Sequence, residues 1–200
     1  MHPPKPTINP AAIDITAEAI QSLPLRAFEG KVHVITDLHQ LQRVLPYLRD
    51  QPMVGFDTET RPSFKKGQYF PVSLIQLATR EKAFLIRLKH VGLAQDIVHV
   101  LENVTLIKAG VALHDDIKAL QKLQPFAAAG FVDLAQRARQ TGLQVESVKK
   151  LTALLLGFRI SKSAQTSNWD DVTLNEKQIS YAATDAWVCW EIYQKLHPAG

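Results

Sequence analysis

The stretch MVGFDTE, residues 53–59, begins with apolar side chains and ends with two acids. The apolar half is typical of a buried β-strand, and successive side chains on a strand point to opposite faces. Asp57 and Glu59 therefore share one face with Gly55. Adjacent carboxylates repel each other unless a cation or a proton lies between them. The pattern is consistent with a cation site or, as the alternative, with a solvated strand end.

Strand and helix patterns alternate on either side of this stretch. Two strand-like runs follow it, and the short polar turn at 80–82 favours an antiparallel hairpin between them. An alternating strand precedes it, and Asp37 is placed to cap the next helix. The chain is therefore expected to form an α/β fold with a mixed five- or six-stranded sheet and helices on both faces. The predicted strands are 31–36, 53–59, 72–79, 83–88, 104–108 and 131–134; the later predicted helices are 90–102, 115–123, 134–141, 147–156 and 175–196.

Length and composition indicate a globular protein with room for one domain. The 200 residues are 46% hydrophobic and 21% charged, which excludes a disordered or collagen-like chain. We expect an N-terminal arm at 1–30, flexible over 1–10 and with a short helix near 13–22, followed by a single domain at 31–200. The apolar runs are far shorter than the roughly 18 residues of a membrane span, and no secretory signal is visible. We interpret the lone Cys189 as a buried structural thiol, so a reducing, cytoplasmic location is expected.

The segment KAGVALHDD, residues 108–116, lies where a buried strand gives way to a helix. Asp115 and Asp116 fall in the first helical turn, where negative charge is favourable to the helix dipole. On this segment alone, helix capping is the simpler interpretation for both acids.

A third acid-bearing segment is YAATD, residues 181–185, on the last predicted helix. Tyr181 and Asp185 are four residues apart and share a helix face with Gln178, Val188 and Ile192. An aspartate on such an apolar stripe needs a partner, because burying an unpaired charge is very costly. A hydrogen bond from Tyr181 is the simplest structural solution.

Taken together, the three segments favour a metal centre. Asp57, Glu59, Asp116 and Asp185 have no obvious counter-charge nearby in the sequence, and clustered carboxylates stay ionised only when cations lie among them. Hard oxygen ligands favour Mg²⁺ or Mn²⁺. Two such ions about 3.5–4 Å apart are suited to in-line cleavage of a phosphodiester. The formal net charge of +4 becomes more positive once these acids are assigned to cations, which suits a polyanionic partner.

These segments resemble the three exonuclease motifs of the DEDD superfamily, tyrosine subclass. FDTET at 56–60, GVALHDD at 110–116 and YAATD at 181–185 occur in the order of that family. SLIQL at 73–77 and SNW at 167–169 also match, so that the resemblance spans about residues 31–196. Within the superfamily, the sequence is most similar to the exonuclease domains related to the Werner syndrome helicase, and more distantly to ribonuclease D.

The resemblance implies a ribonuclease H-like fold and a 3′-5′ exonuclease that releases nucleoside 5′-monophosphates. Asp57, Glu59 and Asp185 would bind the cation that positions the attacking water. Asp57 would bridge to a second cation supported by Asp116, for which Asp115 is the alternative. Tyr181 would orient the water through its hydroxyl group.

The expected partner is a nucleic acid with a 3′ end, in a single strand or at a recessed terminus, and no membrane. Four of the candidate contacts have an alternative interpretation: Lys65 and Lys66 as solvated loop residues, His114 as an exposed residue at a helix start, and Asn168 as a turn or cap residue. Trp169 is expected to pack in the core rather than to stack on a base, and Gln165 stands where relatives often carry a basic residue. The candidate nucleic-acid contacts are Thr58, Thr60, Lys65, Lys66, His114 and Asn168.

Two alternatives to a DNA exonuclease remain at the level of sequence. One is a ribonuclease D-like enzyme that processes RNA, since no base-reading element distinguishes DNA from RNA. The other is a catalytically silent nucleic-acid-binding module with the same fold. The complete set of four acids with Tyr181 argues against silence. A helicase or repair partner is not identified by the sequence.

Overall fold

The central feature is a mixed six-stranded sheet in a computed structural model that describes residues 14–197. The strands are β1 (Lys31–Ile35), β2 (Met53–Thr60), β3 (Val72–Ala78), β4 (Lys82–Arg87), β5 (Ile107–Gly110) and β6 (Phe131–Asp133). Their spatial order is β1-β4-β3-β2-β5-β6. β2, β3 and β4 form an antiparallel meander, whereas β1 pairs with β4, β5 with β2 and β6 with β5 in parallel. The mixed sheet and its hairpin are therefore confirmed.

Helices cover both faces of this sheet, as the sequence predicted. The helices are α1 (Ala17–Ser22), α2 (Leu38–Arg49), α3 (Leu88–Val91), α4 (Gln95–Glu102), α5 (Leu113–Gln121), α6 (Leu134–Gln140), α7 (Val148–Leu156) and α8 (Glu176–Leu196). Alternate residues of β2 enter different cores: Val54 and Phe56 pack with α2, α4 and α5, while Met53 packs with α6, α7 and α8. Asp37 and Ser147 cap α2 and α7 through their side chains, as expected.

Helix α8 lies directly against the middle of the sheet because both surfaces carry small residues. Ala183 and Ala186 pack on Ala78 and Ala83 of the hairpin. A Cβ atom on Gly55 would lie only 1.8 Å from the carbonyl oxygen of Ala186, so only glycine allows this approach. The contact places the residue before Ala186 beside the acidic end of β2.

Three predicted boundaries were wrong for local reasons. The strand expected at 104–108 begins at Ile107, because the Asn103 side chain accepts hydrogen bonds from the backbone and hydroxyl of Thr105 and holds these residues in a turn. The helix expected at 90–102 is divided where Gly92, at φ 64°, ends α3. Helix α5 begins two residues before the expected 115.

The terminal expectations are tested only in part. Helix α1 spans Ala17–Ser22 and lies within the predicted 13–22. The arm expected at 1–10 and the start of that helix at residue 13 lie outside the described residues.

Within 14–197, no helix combines the length and apolarity needed to cross a membrane. Cys189 is buried, as expected for a structural thiol, and burial raises its pKa well above the ordinary value.

A buried lysine joins β5 to the end of α4. The Nζ atom of Lys108 donates hydrogen bonds to the carbonyl oxygens of Val100 at 3.1 Å and Asn103 at 2.6 Å. The same ammonium lies 5.1 Å from the centre of the Phe131 ring. Burial lowers the pKa of Lys108 to about 8. The side chain therefore closes the helix end at the cost of burying a positive charge.

We expect Lys108→Met to lower the free energy of unfolding by about 1–3 kcal/mol at pH 7, because it leaves two carbonyl groups without a charged donor. The folded-state pKa lies below the unfolded value of about 10.4. Between about pH 8 and 10, this group should therefore increase the free energy of unfolding of the wild type by up to about 1.4 kcal/mol per pH unit. The Lys108→Met variant lacks the group and should not show this increase. Chemical denaturation of the wild type and the variant at pH 8 and at pH 10 measures the difference between their free energies of unfolding. The exposed Lys195→Met is the control, and a difference that does not widen with pH contradicts the assignment.

Candidate active site

Three acids from two distant parts of the sequence form one cluster. One carboxylate oxygen from each of Asp57, Glu59 and Asp185 lies within 4.8 Å of the others. Asp57 and Glu59 lie on the same face of β2, and α8 brings Asp185 onto that face beside Gly55. The predicted juxtaposition of the first and third motifs is therefore present in the structure. We refer to these three residues as the acid trio.

The fourth predicted acid, Asp116, lies next to the acid trio but outside it. Its Oδ1 atom accepts a hydrogen bond of 2.6 Å from the hydroxyl of Thr58. Its negative charge is close enough to raise the pKa values of Asp57 and Glu59. The neighbouring Asp115 is exposed.

The start of α5 is fixed closely against the sheet, and this places Asp116. The Leu113 amide donates a hydrogen bond of 3.3 Å to the Asp133 side chain. A Cβ atom on Gly110 would lie 2.6 Å from the Phe56 carbonyl oxygen, so the glycine allows the two backbones to approach. Ala112 adopts the left-handed conformation, at φ 56°, where the chain turns into the helix. The spacing between Gly110 and Asp116 thus has a steric basis.

The trio is electrostatically unfavourable without a cation. Burial, together with the negative charges of Asp57 and Asp185, raises the pKa of Glu59 to about 9. Burial and the charges of Asp185 and Asp116 also raise the pKa of Asp57 well above its ordinary value. Carboxylates that resist simultaneous ionisation in this way are typical of sites that hold protons or metal ions.

A lysine that the sequence reasoning missed partly offsets this charge. Lys162 Nζ donates a hydrogen bond of 2.8 Å to Asp185 Oδ2 and lies 3.4 Å from the hydroxyl oxygen of Tyr181. Asp185 therefore has a counter-charge in the fold, although none stands near it in the sequence. Lys162 lies in the irregular segment between α7 and α8, 23 residues before its partner. No helical or strand periodicity assigns a direction to its side chain.

Tyr181 lies beside the trio on the predicted buried stripe of α8. Gln178, Asp185, Val188 and Ile192 are also buried, as expected. Burial and the charges of Asp185 and Glu59 raise the pKa of Tyr181 far above its ordinary value, so the phenol stays protonated. Trp169 is fully buried, with its ring centre 5.8 Å from that of Tyr181. Its expected place in the core is confirmed.

Unpaired polar atoms gather around the trio. Asp185 Oδ1 is buried and has no hydrogen-bond partner among the described residues. Gln76 is fully buried and lies directly opposite Asp57 in the β2–β3 pairing. Its amide nitrogen and its amide oxygen both lack a hydrogen-bond partner among residues 14–197. Buried polar groups normally require partners. An oxygen-rich donor set with an unused carboxylate atom fits a hard divalent cation such as Mg²⁺ or Mn²⁺.

The other predicted contacts lie in different environments. Thr60, Lys65, Lys66 and His114 are exposed. The hydroxyl group of Thr58 is already engaged with Asp116. Asn168 bonds to the side chain of Asp171 and the backbone of Asp170, which is the turn geometry of the alternative interpretation; Gln165 is exposed.

The chain is similar to proteins named as 3′-5′ exonucleases. A family model described as 3′-5′ exonuclease matches residues 32–200. The chain is 35% identical over 159 residues to the bifunctional 3′-5′ exonuclease/ATP-dependent helicase WRN of Mus musculus; the match covers 76% of this chain and 11% of that protein. It is 31% identical over 167 residues to a 3′-5′ exonuclease of Arabidopsis thaliana, covering 78% and 58% respectively. This chain therefore spans less than two thirds of the length of either relative.

A solved structure shows the same similarity in three dimensions. The Aedes aegypti Nibbler EXO domain superposes with a TM-score of 0.74 at 30% sequence identity. The match covers 86% of this chain and 90% of the solved one.

Proposed function

The chain belongs to the 3′-5′ exonuclease family, and from this premise we propose that it uses two divalent cations to remove nucleotides from the 3′ end of DNA or RNA as 5′-monophosphates. The DEDD assignment and the ribonuclease H-like fold are confirmed by the family match and by the similarity to the Nibbler EXO domain. The observation that carries the proposal is the acid trio beside a protonated Tyr181.

The residues fit the two cations unequally. The acid trio supplies three carboxylates for one cation, with Asp185 Oδ1 free to coordinate. Asp57 and the adjacent Asp116 are the candidates for the second. When bound, such cations neutralise the phosphate oxygens and make an attacking water more acidic. The chemistry of hard oxygen donors favours Mg²⁺ or Mn²⁺.

The side chains around the acids have separate roles in this proposal. Tyr181 remains neutral, so it acts through its hydroxyl group as a hydrogen-bonding partner that orients water rather than as a base. Thr58 holds the Asp116 carboxylate against β2. Lys162 supports Asp185 and Tyr181 from the solvent side, where 30% of its side chain is exposed.

The proposal is tested by digesting DNA and RNA strands of identical sequence that carry a label at either end. With Mg²⁺ or Mn²⁺, a 5′ label should give a ladder of shortened strands, and a 3′ label should appear at once as a mononucleotide. EDTA should stop both, because the trio then lacks the cation that its charge requires. Release of a 5′-labelled mononucleotide before any shortened strands appear, or activity that persists in EDTA, contradicts the proposal. Binding without cleavage throughout a Mn²⁺ titration would identify a silent module.

A further inference from the structure

The loop that connects β2 to β3, residues 61–71, presents two large aromatic side chains to solvent. Phe64 is 87% exposed and Tyr69 is 90% exposed, the highest values for large hydrophobic side chains among residues 14–197. Burying an aromatic ring usually stabilises a protein by about 1.5–3 kcal/mol. In this loop, that free energy is not used for folding.

The loop has a defined structure between the two rings. The Gln68 amide donates to the Lys65 carbonyl oxygen at 3.1 Å, and Gly67 has a φ of +80°, as the third position of a type II turn requires. The Ser63 hydroxyl also donates to the Lys65 carbonyl at 3.1 Å. Phe64 and Tyr69 therefore flank a hydrogen-bonded turn.

The base of the loop is also anchored. The Arg61 guanidinium lies 4.5 Å from the centre of the Phe70 ring, and the Arg61 amide donates to the Ser73 hydroxyl at 3.3 Å. Phe70 is partly buried, unlike the two aromatic residues nearer the turn. The aromatic residue at the base thus packs within the protein, while those at the tip do not.

The charge of the loop is positive. Residues 60–80 contain Arg61, Lys65, Lys66 and Arg80 and no acid. The two lysines occupy the first two positions of the turn, between the exposed rings. Aromatic residues interleaved with basic residues are typical of surfaces that bind single strands, where the rings stack on nucleobases and the lysines contact phosphates. Bases in a duplex are already stacked on their neighbours and cannot accept such rings without unpairing.

The loop is also close to the acid trio. It begins two residues after Glu59, so the Cα atoms of Phe64 and Glu59 are at most roughly 18 Å apart. We propose that the 61–71 loop is a docking surface for a single-stranded nucleic-acid end, in which Phe64 and Tyr69 stack on unpaired bases. The proposal rests on the proposed function and specifies the strandedness of its substrate.

The test compares Phe64→Ala, Tyr69→Ala and the double variant with Val104→Ala. Val104 is also exposed, at 72%, but lies in the turn before β5, at the opposite end of the sheet from Glu59. Affinity is measured by fluorescence anisotropy with a labelled single strand in EDTA, which prevents hydrolysis. Each variant at the loop should weaken binding about five- to a hundredfold. The control should bind as the wild type does, and all variants should keep the wild-type melting temperature.

Two further probes separate stacking from charge. A strand of abasic sugars should bind the wild type and the double variant equally, and a blunt duplex should show the same equality. Unchanged binding of the normal single strand by the double variant would overturn the proposal. Equal losses on the normal and abasic strands would also overturn it.

Hydrolysis of thymidine 5′-monophosphate p-nitrophenyl ester distinguishes this proposal from the proposed function. The ester has no neighbouring bases, so its turnover should fall much less than that of the strand in the double variant. If the wild type cleaves neither substrate but its single-strand binding still depends on Phe64 and Tyr69, the exonuclease proposal fails and the docking surface stands.

Discussion

Asp57→Asn and Asp185→Asn are each expected to lower the rate of 3′ shortening by about a thousandfold or more. Each change removes a negative charge from the acid trio while keeping nearly the same shape, so cation binding is lost and not the fold. Groups that act as one unit in catalysis typically show single-variant effects of this size. Shortening of a 5′-labelled strand at saturating Mn²⁺, with circular dichroism to verify folding, measures the effect.

Asp57→Asn should at the same time stabilise the cation-free protein. The pKa of Asp57 is raised by burial and by the negative charges of Asp185 and Asp116, so its ionised form destabilises the folded state. The melting temperature of Asp57→Asn in EDTA at pH 8 should therefore exceed that of the wild type. Addition of Mn²⁺ should raise the melting temperature of the wild type but not that of the variant. Loss of activity with gain of stability is the opposite of what a merely structural aspartate would show.

The neighbouring pair on α5 supplies the matched control. Asp116→Asn should lose activity strongly, because its carboxylate lies beside the trio and is held by Thr58. Asp115→Asn should retain nearly all activity, because that side chain is exposed. Full activity in Asp57→Asn and Asp185→Asn, or a larger loss in Asp115→Asn than in Asp116→Asn, contradicts the site.

Much of the site was predictable because it follows from repeating geometry. The two-residue period of a strand places Asp57 and Glu59 on one face, and the four-residue spacing on α8 places Tyr181 beside Asp185. The caps at Asp37 and Ser147 follow from the hydrogen bonds that these side chains make with free amides at a helix start.

What the sequence could not provide were contacts between side chains that lie far apart in the chain. Lys162 reaches Asp185 from a loop, and Thr58 reaches Asp116 across two elements that are 58 residues apart. Nothing in the local pattern specifies either partner. The strand after Asn103 was placed too early for a related reason, since the two hydrogen bonds from Thr105 to the Asn103 side chain outweighed the strand preference of Val104.

Lys162→Met is expected to lower the free energy of unfolding of the cation-free protein and to raise its affinity for Mn²⁺. Lys162 is the counter-charge within hydrogen-bond distance of the buried Asp185, and removing one partner of such a pair costs about 2–4 kcal/mol. The Lys162 ammonium and a divalent cation compete for the same carboxylate. Without the lysine, the acid trio should therefore bind Mn²⁺ about tenfold more tightly, and the melting temperature should rise more steeply with Mn²⁺ concentration.

Lys150→Met is the matched control for this change. The Lys150–Asp14 ion pair has the same 2.8 Å separation, but its side chains are 39% and 52% exposed. Exposed pairs contribute about 0–1 kcal/mol, so this variant should lose little stability and respond to Mn²⁺ as the wild type does. Isothermal titration with Mn²⁺ and thermal melts in EDTA distinguish the two variants. Weaker Mn²⁺ binding in Lys162→Met would mean that the lysine organises the trio for the cation instead of competing with it.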